Sequence, residues 1–322
     1  MFNRKQKNQT LIYANDLVGC IGKLPLHREF IKQGVNLPEI AALDQWYQSS
    51  YHHLTRQYSA DIKSIFSSMP LHHFIYTAKP EQKIMIGSLL ASHDQMDRVY
   101  PYVLFRLLEN PIAYELQNTL SILYQDYFNQ TEKLCYSNWN NYSLPELFQD
   151  VSTLNQTVTE FTRRDGLENT VQALRTIKLS EFIPNKKIIV KAIAALKLIK
   201  NNSNNLPICG IRFPLMGGFA AKTTVVFWLQ LIYAVLPEKY PRLQIFWHAG
   251  NTHHKASLLV NFRAMAASNF YQLIDPYRRD PQLIDIVQDA NKLDPEVGAD
   301  AVFNFNSSLL QTLSEWSNSI GK

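Results

Sequence analysis

Phe74-Ile-Tyr-Thr-Ala-Lys-Pro-Glu-Gln-Lys-Ile-Met-Ile-Gly-Ser-Leu-Leu90 carries two short apolar runs around a polar centre. Phe74–Thr77 and Ile84–Leu90 are β-type runs, and Ala78-Lys-Pro-Glu-Gln82 between them makes a hairpin-like connection. Pro101–Leu108 is a further apolar run, and a helix is expected through Tyr114–Phe128. Upstream, Leu11–Gly19 reads as a strand entering a turn around Gly19-Cys-Ile-Gly22, after which Pro25 keeps the chain extended. Leu37-Pro-Glu-Ile-Ala-Ala-Leu-Asp-Gln-Trp46 opens a helix, with Pro38 in its first turn and Glu39 at the positive end of its dipole. Ile40, Leu43, Tyr47, Tyr51 and Leu54 then recur at three- and four-residue steps, which gives that helix one buried face.

From about Glu132 to Asn205 the pattern is mostly helical and less apolar, with helix starts at Ser143-Leu-Pro-Glu146 and Ser180-Glu181. Asn201-Asn-Ser-Asn-Asn205 is a polar break. Beyond it come a β-type run at Ile208–Phe213, an apolar helix at Thr223–Leu236, and strands at Leu243–His248 and Ala256–Phe262. A helix at Ser268–Ile274 precedes an Asp275-Pro276 turn. Strands and helices alternate in both outer parts, the α/β pattern. The expected architecture is a mixed sheet flanked by helices, a layered α/β sandwich. It divides into an α/β part at 1–131, a helical insertion or linker at 132–205, and a second α/β part at 206–322.

Composition narrows the function. Among 322 residues there are only 11 glycines, about 3.4% against an average near 7%. Glycine supplies the positive-φ turns and close backbone approaches of nucleotide-binding loops, so a cofactor of that kind is not expected. The net charge is +5, and the densest basic stretches, Arg4–Lys7 and Lys186–Lys200, lack interleaved aromatic stacking platforms. Nucleic acid is therefore not an expected partner. Asn and Gln together number 44 against 27 acidic residues, an amide-rich surface with modest electrostatic steering. Cys20, Cys135 and Cys209 lie far apart without a CxxC, which excludes a zinc ribbon or a thioredoxin-like site and favours small buried hydrophobes. Met1–Thr10 is not followed by an apolar run, and Thr224–Leu236 is too short to span a bilayer, so no membrane span and a cytoplasmic location are expected.

No catalytic or metal centre emerges from residue chemistry. Met216-Gly-Gly-Phe-Ala-Ala-Lys-Thr223 ends like a phosphate loop, but Ala221 and Met216 stand where that motif needs glycine, leaving a glycine turn into a buried helix. His52-His53, His72-His73 and His253-His254 are doublets whose side chains diverge, a poor metal grip. His248 and His253 can approach across a loop, with no acidic residue between them. Ser92-His93-Asp94 has the letters of a catalytic triad, but adjacent residues converge badly, and a loop in which Ser92 and Asp94 cap backbone N–H groups is the natural form. Lys186–Lys200 is amphipathic along Ile188, Ala192, Ala195, Leu196 and Ile199, with every lysine off that stripe. It reads as a core helix before a membrane-surface or partner helix.

A constellation of motifs stands out in the first 110 residues. Gly22-Lys-Leu-Pro25 is followed by Glu29-Phe-Ile31, by Asp44-Gln-Trp46, and by Gly87-Ser-Leu-Leu-Ala-Ser-His-Asp-Gln-Met-Asp-Arg-Val-Tyr-Pro101. Together these resemble the TagF (ImpM-like) family of type VI secretion accessory proteins. That family's pattern runs G-K-L/M-P-x-x-G-D-F-V, then a tryptophan-bearing helix, then an S-x-D-R-x-G-R-x-F-P-like segment. Gly22, Lys23, Leu24, Pro25, Phe30, Trp46, Ser92, Asp94, Arg98 and Pro101 sit at matching positions. Arg28-Glu29 replaces Gly-Asp, Gln95 an arginine, and Asp97 a glycine. The resemblance covers about 15–110 well and, through Phe246-Trp247 and Ala256–Asp275, 206–280 loosely. The stretch 132–205 has no clear counterpart.

The resemblance implies regulation and not catalysis: a cytoplasmic post-translational repressor of type VI secretion acting through the forkhead-associated scaffold protein of the apparatus. Lys23, Ser92, Asp94 and Arg98 are the candidate partner-binding residues, because loops after strands commonly project binding groups. An Asp94–Arg98 pair that only fixes the loop is the competing reading. Gly22, Pro25, Phe30, Trp46 and Pro101 are the structural positions of the motifs. Two other functions compete, a structural or assembly subunit of the secretion apparatus and a hydrolase with an unrecognised Ser/His/Asp site.

Overall fold

The computed structural model describes residues 16–34, 37–58, 61–77, 83–109, 113, 116–154, 163–183, 185–201, 208–236, 243–275, 278–288, 304 and 306–320. Its strands are β1 (Leu17–Gly22), β2 (Ile31–Gln33), β3 (His72–Tyr76), β4 (Met85–Leu90), β5 (Tyr102–Leu107), β6 (Gly210–Pro214), β7 (Gln244–His248), β8 (Ser257–Asn261) and β9 (Leu283–Asp285). They form one nine-stranded sheet in the order β2-β1-β5-β4-β3-β7-β8-β6-β9. Among the described residues, only the β6–β9 pair is parallel. β3 and β7, from the two outer parts of the chain, pair antiparallel, with Phe74 opposite Phe246.

Successive side chains on a strand point to opposite faces, and both faces here are apolar. Phe74, Tyr76, Met85, Leu89, Val103, Phe105, Phe246 and Leu259 share one core. Ile75, Ile86, Tyr102, Leu104, Ile245, Trp247, Leu258 and Val260 point into the other. A sheet buried on both faces must be covered by helices on both, and it is. The first core is closed by α1 (Pro38–Tyr58) and α2 (Ile62–Ser67). The second is closed by α3 (Leu120–Leu123), α4 (Gln125–Cys135), α5 (Leu144–Thr153), α6 (Arg163–Thr176), α7 (Leu179–Phe182), α8 (Lys186–Asn201) and α9 (Ala220–Val235). A turn of 3-10 helix at Ala267–Phe270, running into α10 (Tyr271–Ile274), completes the α1 side, while α11 (Leu309–Ile320) joins the other. The layered α/β sandwich with a mixed sheet is thus the fold.

Several local expectations change. The turn around Gly19–Gly22 is instead the body of β1, whose leading residues 11–15 lie outside the described ones. Gly19 pairs with Phe105 and leaves its ring room, so the glycine serves packing and not a turn. The helix read through Tyr114–Phe128 breaks at Tyr124 (φ −104°, ψ 25°), between α3 and α4, and residues 114–115 lie outside the description. The helix read at Ser268–Ile274 is a 3-10 turn followed by a single α-turn. In α8 the apolar surface extends beyond the stripe to buried Val190 and Ile193, and Lys191, expected to be solvated, is buried with them at 3% exposure. The start of α5 follows its sequence signature. Ser143 Oγ accepts from the Glu146 N–H, and Glu146 Oε2 accepts from the Ser143 N–H at 2.8 Å, a capping box. Residues 202–205 of the asparagine break, and Pro276, lie outside the described residues.

Candidate functional site

Asp94 organises the loop between β4 and β5. Its Oδ1 accepts the backbone N–H groups of Met96 (2.9 Å) and Arg98 (3.0 Å), the capping that short polar side chains favour in loops. Its Oδ2 accepts from Lys23 Nζ and from Arg98 Nε, both at 2.7 Å. Burial alone would raise the carboxyl's pKa. The Lys23 ammonium, the two backbone N–H groups and the Arg98 guanidinium outweigh it and hold Asp94 well below the usual carboxylate range. The side chain of Asp94 is fully buried and that of Lys23 nearly so, whereas Arg98 is 55% exposed.

These contacts fasten two loops distant in sequence. Lys23 and Leu24 leave β1 into a turn at Pro25-Leu26, closed by the His27 N–H to the Leu24 carbonyl. Arg98 Nη2 donates to the Arg28 carbonyl at 2.6 Å, and Gln95 donates from its backbone to His27 and from its side chain to Leu26. Gly22 makes the exit possible: at φ +132°, a Cβ there would meet the Pro101 carbonyl oxygen at 2.1 Å. Ser92 lies buried at the neck, its carbonyl accepting the Tyr100 N–H. Asp97, where the family pattern has glycine, has φ 58°. Aspartate is among the few residues that tolerate this left-handed region. Trp46 sits away from the loop, in the aromatic core formed with Phe246 and Phe270, and fixes α1 against the sheet.

Beside the two loops opens a pocket of about 560 Å³ whose third wall is α1. Phe30, Tyr51 and Tyr100 supply its aromatic surface, with Phe30 edge-on to Tyr100 at 4.8 Å between ring centroids. Lys23, Lys32, His52 and Arg98 supply its polar groups. Lys23 and Lys32 lie over the Phe30 ring, 5.2 and 5.8 Å from its centroid. Among the described residues no carboxylate lines the pocket, since Asp94 and Asp44 sit behind the cations they hold.

The candidates Lys23, Asp94 and Arg98 thus converge, while the structure divides them between an inner clamp and an outward face. Lys32, Tyr51, His52 and Tyr100 were not singled out from sequence as site residues. A signal existed: Asp44, Gln48, Tyr51 and His52 recur at i, i+4, i+7 and i+8, a polar and aromatic stripe beside the apolar one.

The histidines sort differently. His254 approaches His248 (6.4 Å between ring centroids), and His72 joins it at 4.9 Å. No group of three or more His, Cys, Asp or Glu side chains able to hold a metal ion occurs among the described residues. His73 lies under α4, with Nδ1 2.9 Å from Ser88 Oγ, which is 2.6 Å from Thr131 Oγ1, while Glu132 stands 3.9 Å from His73 Nε2. This has the residue types of a hydrolytic triad, and a second pocket of about 490 Å³ reaches His73 and Glu132. Ser88 is fully buried in β4 and does not line that pocket, so its hydroxyl does not face a molecule bound there. Burial pushes His73 down to about 3, which keeps it neutral. Cys20 and Cys135 are buried free thiols, with burial pushing Cys20 up to about 12. No helix among the described residues is long and apolar enough to cross a membrane.

The crystal structure of PA0076 from Pseudomonas aeruginosa PAO1 matches with a TM-score of 0.49 at 14% identity, over 82% of this chain and 96% of that one. No curated protein matches the chain. Residues 19–154 match the TagF N-terminal domain, described as type VI secretion system-associated. That match contains the whole pocket and runs past residue 110 into the helical stretch. Over residues 19–154 the chain is thus similar to the N-terminal domain of TagF, a type VI secretion system-associated family.

Proposed function

We propose that the protein is a post-translational repressor of type VI secretion that acts in the cytoplasm by binding another protein, the scaffold of the apparatus that carries a forkhead-associated domain. The observation that carries this reading is the Asp94 clamp. A buried carboxylate, satisfied by four donors, ties two loops together and leaves a cationic, aromatic pocket facing outward. Rigid loops with exposed aromatic, methionine and arginine side chains are the ordinary material of protein interfaces. Phe30 and Met96 are 40% and 60% exposed on these loops. In the same reading the helical stretch 132–205 is inserted between working parts at 1–131 and 206–322.

The test is made in the native cell. Deletion of the gene is expected to raise type VI secretion, and the wild-type gene is expected to restore repression. Arg98→Gln and Lys32→Glu proteins, present at wild-type levels, are expected to fail. Full repression by both variants, or unchanged secretion in the deletion strain, contradicts the reading. So does stoichiometric recovery of the protein within purified assemblies, the behaviour of a structural subunit. Lys23→Glu is unsuitable, because it sets a second carboxylate against buried Asp94.

A further inference from the structure

We infer that the pocket between β2, α1 and the Asp94 loop is an oxyanion site, which seats one acidic group carried on a peptide segment of the partner. This inference rests on the reading of that face as a partner surface, and it names what the surface recognises.

The donors come first. Lys23 spends one of its three N–H bonds on Asp94. Arg98 spends Nε on Asp94 and one Nη2 hydrogen on the Arg28 carbonyl, which leaves the rest of its fork uncommitted among the described residues. Lys32 is held only loosely, 3.5 Å from Asp44. His52 stands exposed on the same wall. With both carboxylates withdrawn behind these groups, the open face of the pocket is positive.

The size of the anion follows from the backbone. Loops that cradle phosphate chains do so with free main-chain N–H groups. Here all four from 95 to 98 are engaged: Gln95 to His27, Met96 and Arg98 to the Asp94 side chain, and Asp97 to the Asp94 carbonyl. Recognition is left to side chains, which suits a single carboxylate or phosphate group and not a nucleotide polyphosphate. The aromatic surface of Phe30, Tyr51 and Tyr100 suits the apolar stem that carries such a group, as a peptide side chain does.

The experiment uses the full chain and defined probes. N-acetylglutamate N-methylamide and N-acetylphosphoserine N-methylamide are titrated at millimolar concentration, with the glutamine analogue as neutral control. The Arg98 Nε–Hε resonance and the His52 ring are followed by NMR. Saturable shifts with either acidic probe and none with glutamine are expected, and whichever acidic probe binds names the source of the oxyanion. Arg98→Gln and Lys32→Gln should each weaken binding about tenfold. Lys32→Gln leaves the Asp94 clamp whole, so a loss there is not loop unfolding. Absence of saturable binding, equal shifts with the neutral probe, or wild-type affinity in Lys32→Gln overturns the inference. Scaffold capture by the same variants separates the two readings. Probe binding with unaltered capture upholds the oxyanion site and refutes the partner surface. Lost capture without probe binding overturns the oxyanion site and leaves the partner surface standing.

Discussion

Lys23–Asp94–Arg98 and His73–Ser88–Thr131 are both buried polar clusters tied to the same sheet, and they solve burial in opposite ways. The first lies beside α1, keeps its charges, and satisfies its carboxylate from four directions. The second lies beneath α4, discards charge, and closes on itself through two hydroxyls and a neutral imidazole. A buried carboxylate needs cations, and cations too long to bury whole leave donors at the surface; a neutral network leaves none. The residue types of catalysis therefore lie in the closed, neutral cluster, and the ion-paired cluster is the one that presents charged groups at the surface.

Breaking the charged cluster should have the largest effect. Asp94→Ala leaves the Lys23 ammonium buried without its counterion and is expected to cost about 3–5 kcal/mol. Denaturant unfolding measures it, and a loss below about 1 kcal/mol would show the pair to be a solvated surface contact.

Acid separates the two clusters. His72 and His73 are both lowered to about 3, so below about pH 6.5 the unfolded chain takes up protons that the native one refuses. Stability is then expected to fall by about 1.4 kcal/mol per pH unit for each histidine as pH drops from about 6.5. Asp94 has a depressed value, so its contribution is full above about pH 4 and is lost only as pH falls further. Unfolding midpoints between pH 7 and pH 4.5 should fall less steeply in His73→Gln, where His72 still contributes, and keep their slope in Asp94→Asn. Titration of the His73 ring carbons above pH 5 would contradict this.

Smaller effects sharpen the contrast. Ser88→Ala strands the partner groups of His73 and Thr131 and is expected to cost about 1–3 kcal/mol, without altering any binding at the Arg98 face. Asp97→Gly is expected to stabilise by about 0.5–1 kcal/mol, because φ 58° costs a residue with a Cβ. Thermal melting reads it, and destabilisation would mean that the Asp97 side chain contributes more than its backbone strain.

Much of the sheet was legible because strands buried on both faces read as short apolar runs between breaks, as at 84–90 and 101–108. β1 was misread because Gly19 and Gly22 look like turn residues, and only the cross-strand Phe105 reveals the packing use of Gly19. The break at Tyr124 follows no glycine or proline, so nothing local announces it. At the site, Asp94 as a capping residue was readable from its loop chemistry. Its Lys23 partner is 71 residues away and entered only through family resemblance. Lys32 and His52 stayed hidden because strand pairing and helix packing bring them to the pocket, and neither contact has a local signature.

The binding surface rests on the outward-facing cations around the buried Lys23–Asp94 pair, Arg98 and Lys32. Affinity of the purified forkhead-associated scaffold for the full chain tests it most directly, wild type against Lys32→Glu, with thermal stability measured on the same samples. Lys32→Glu is expected to lose at least about tenfold in affinity with an unchanged melting temperature. Equal affinity, or a loss seen only with a lowered melting temperature, would contradict it.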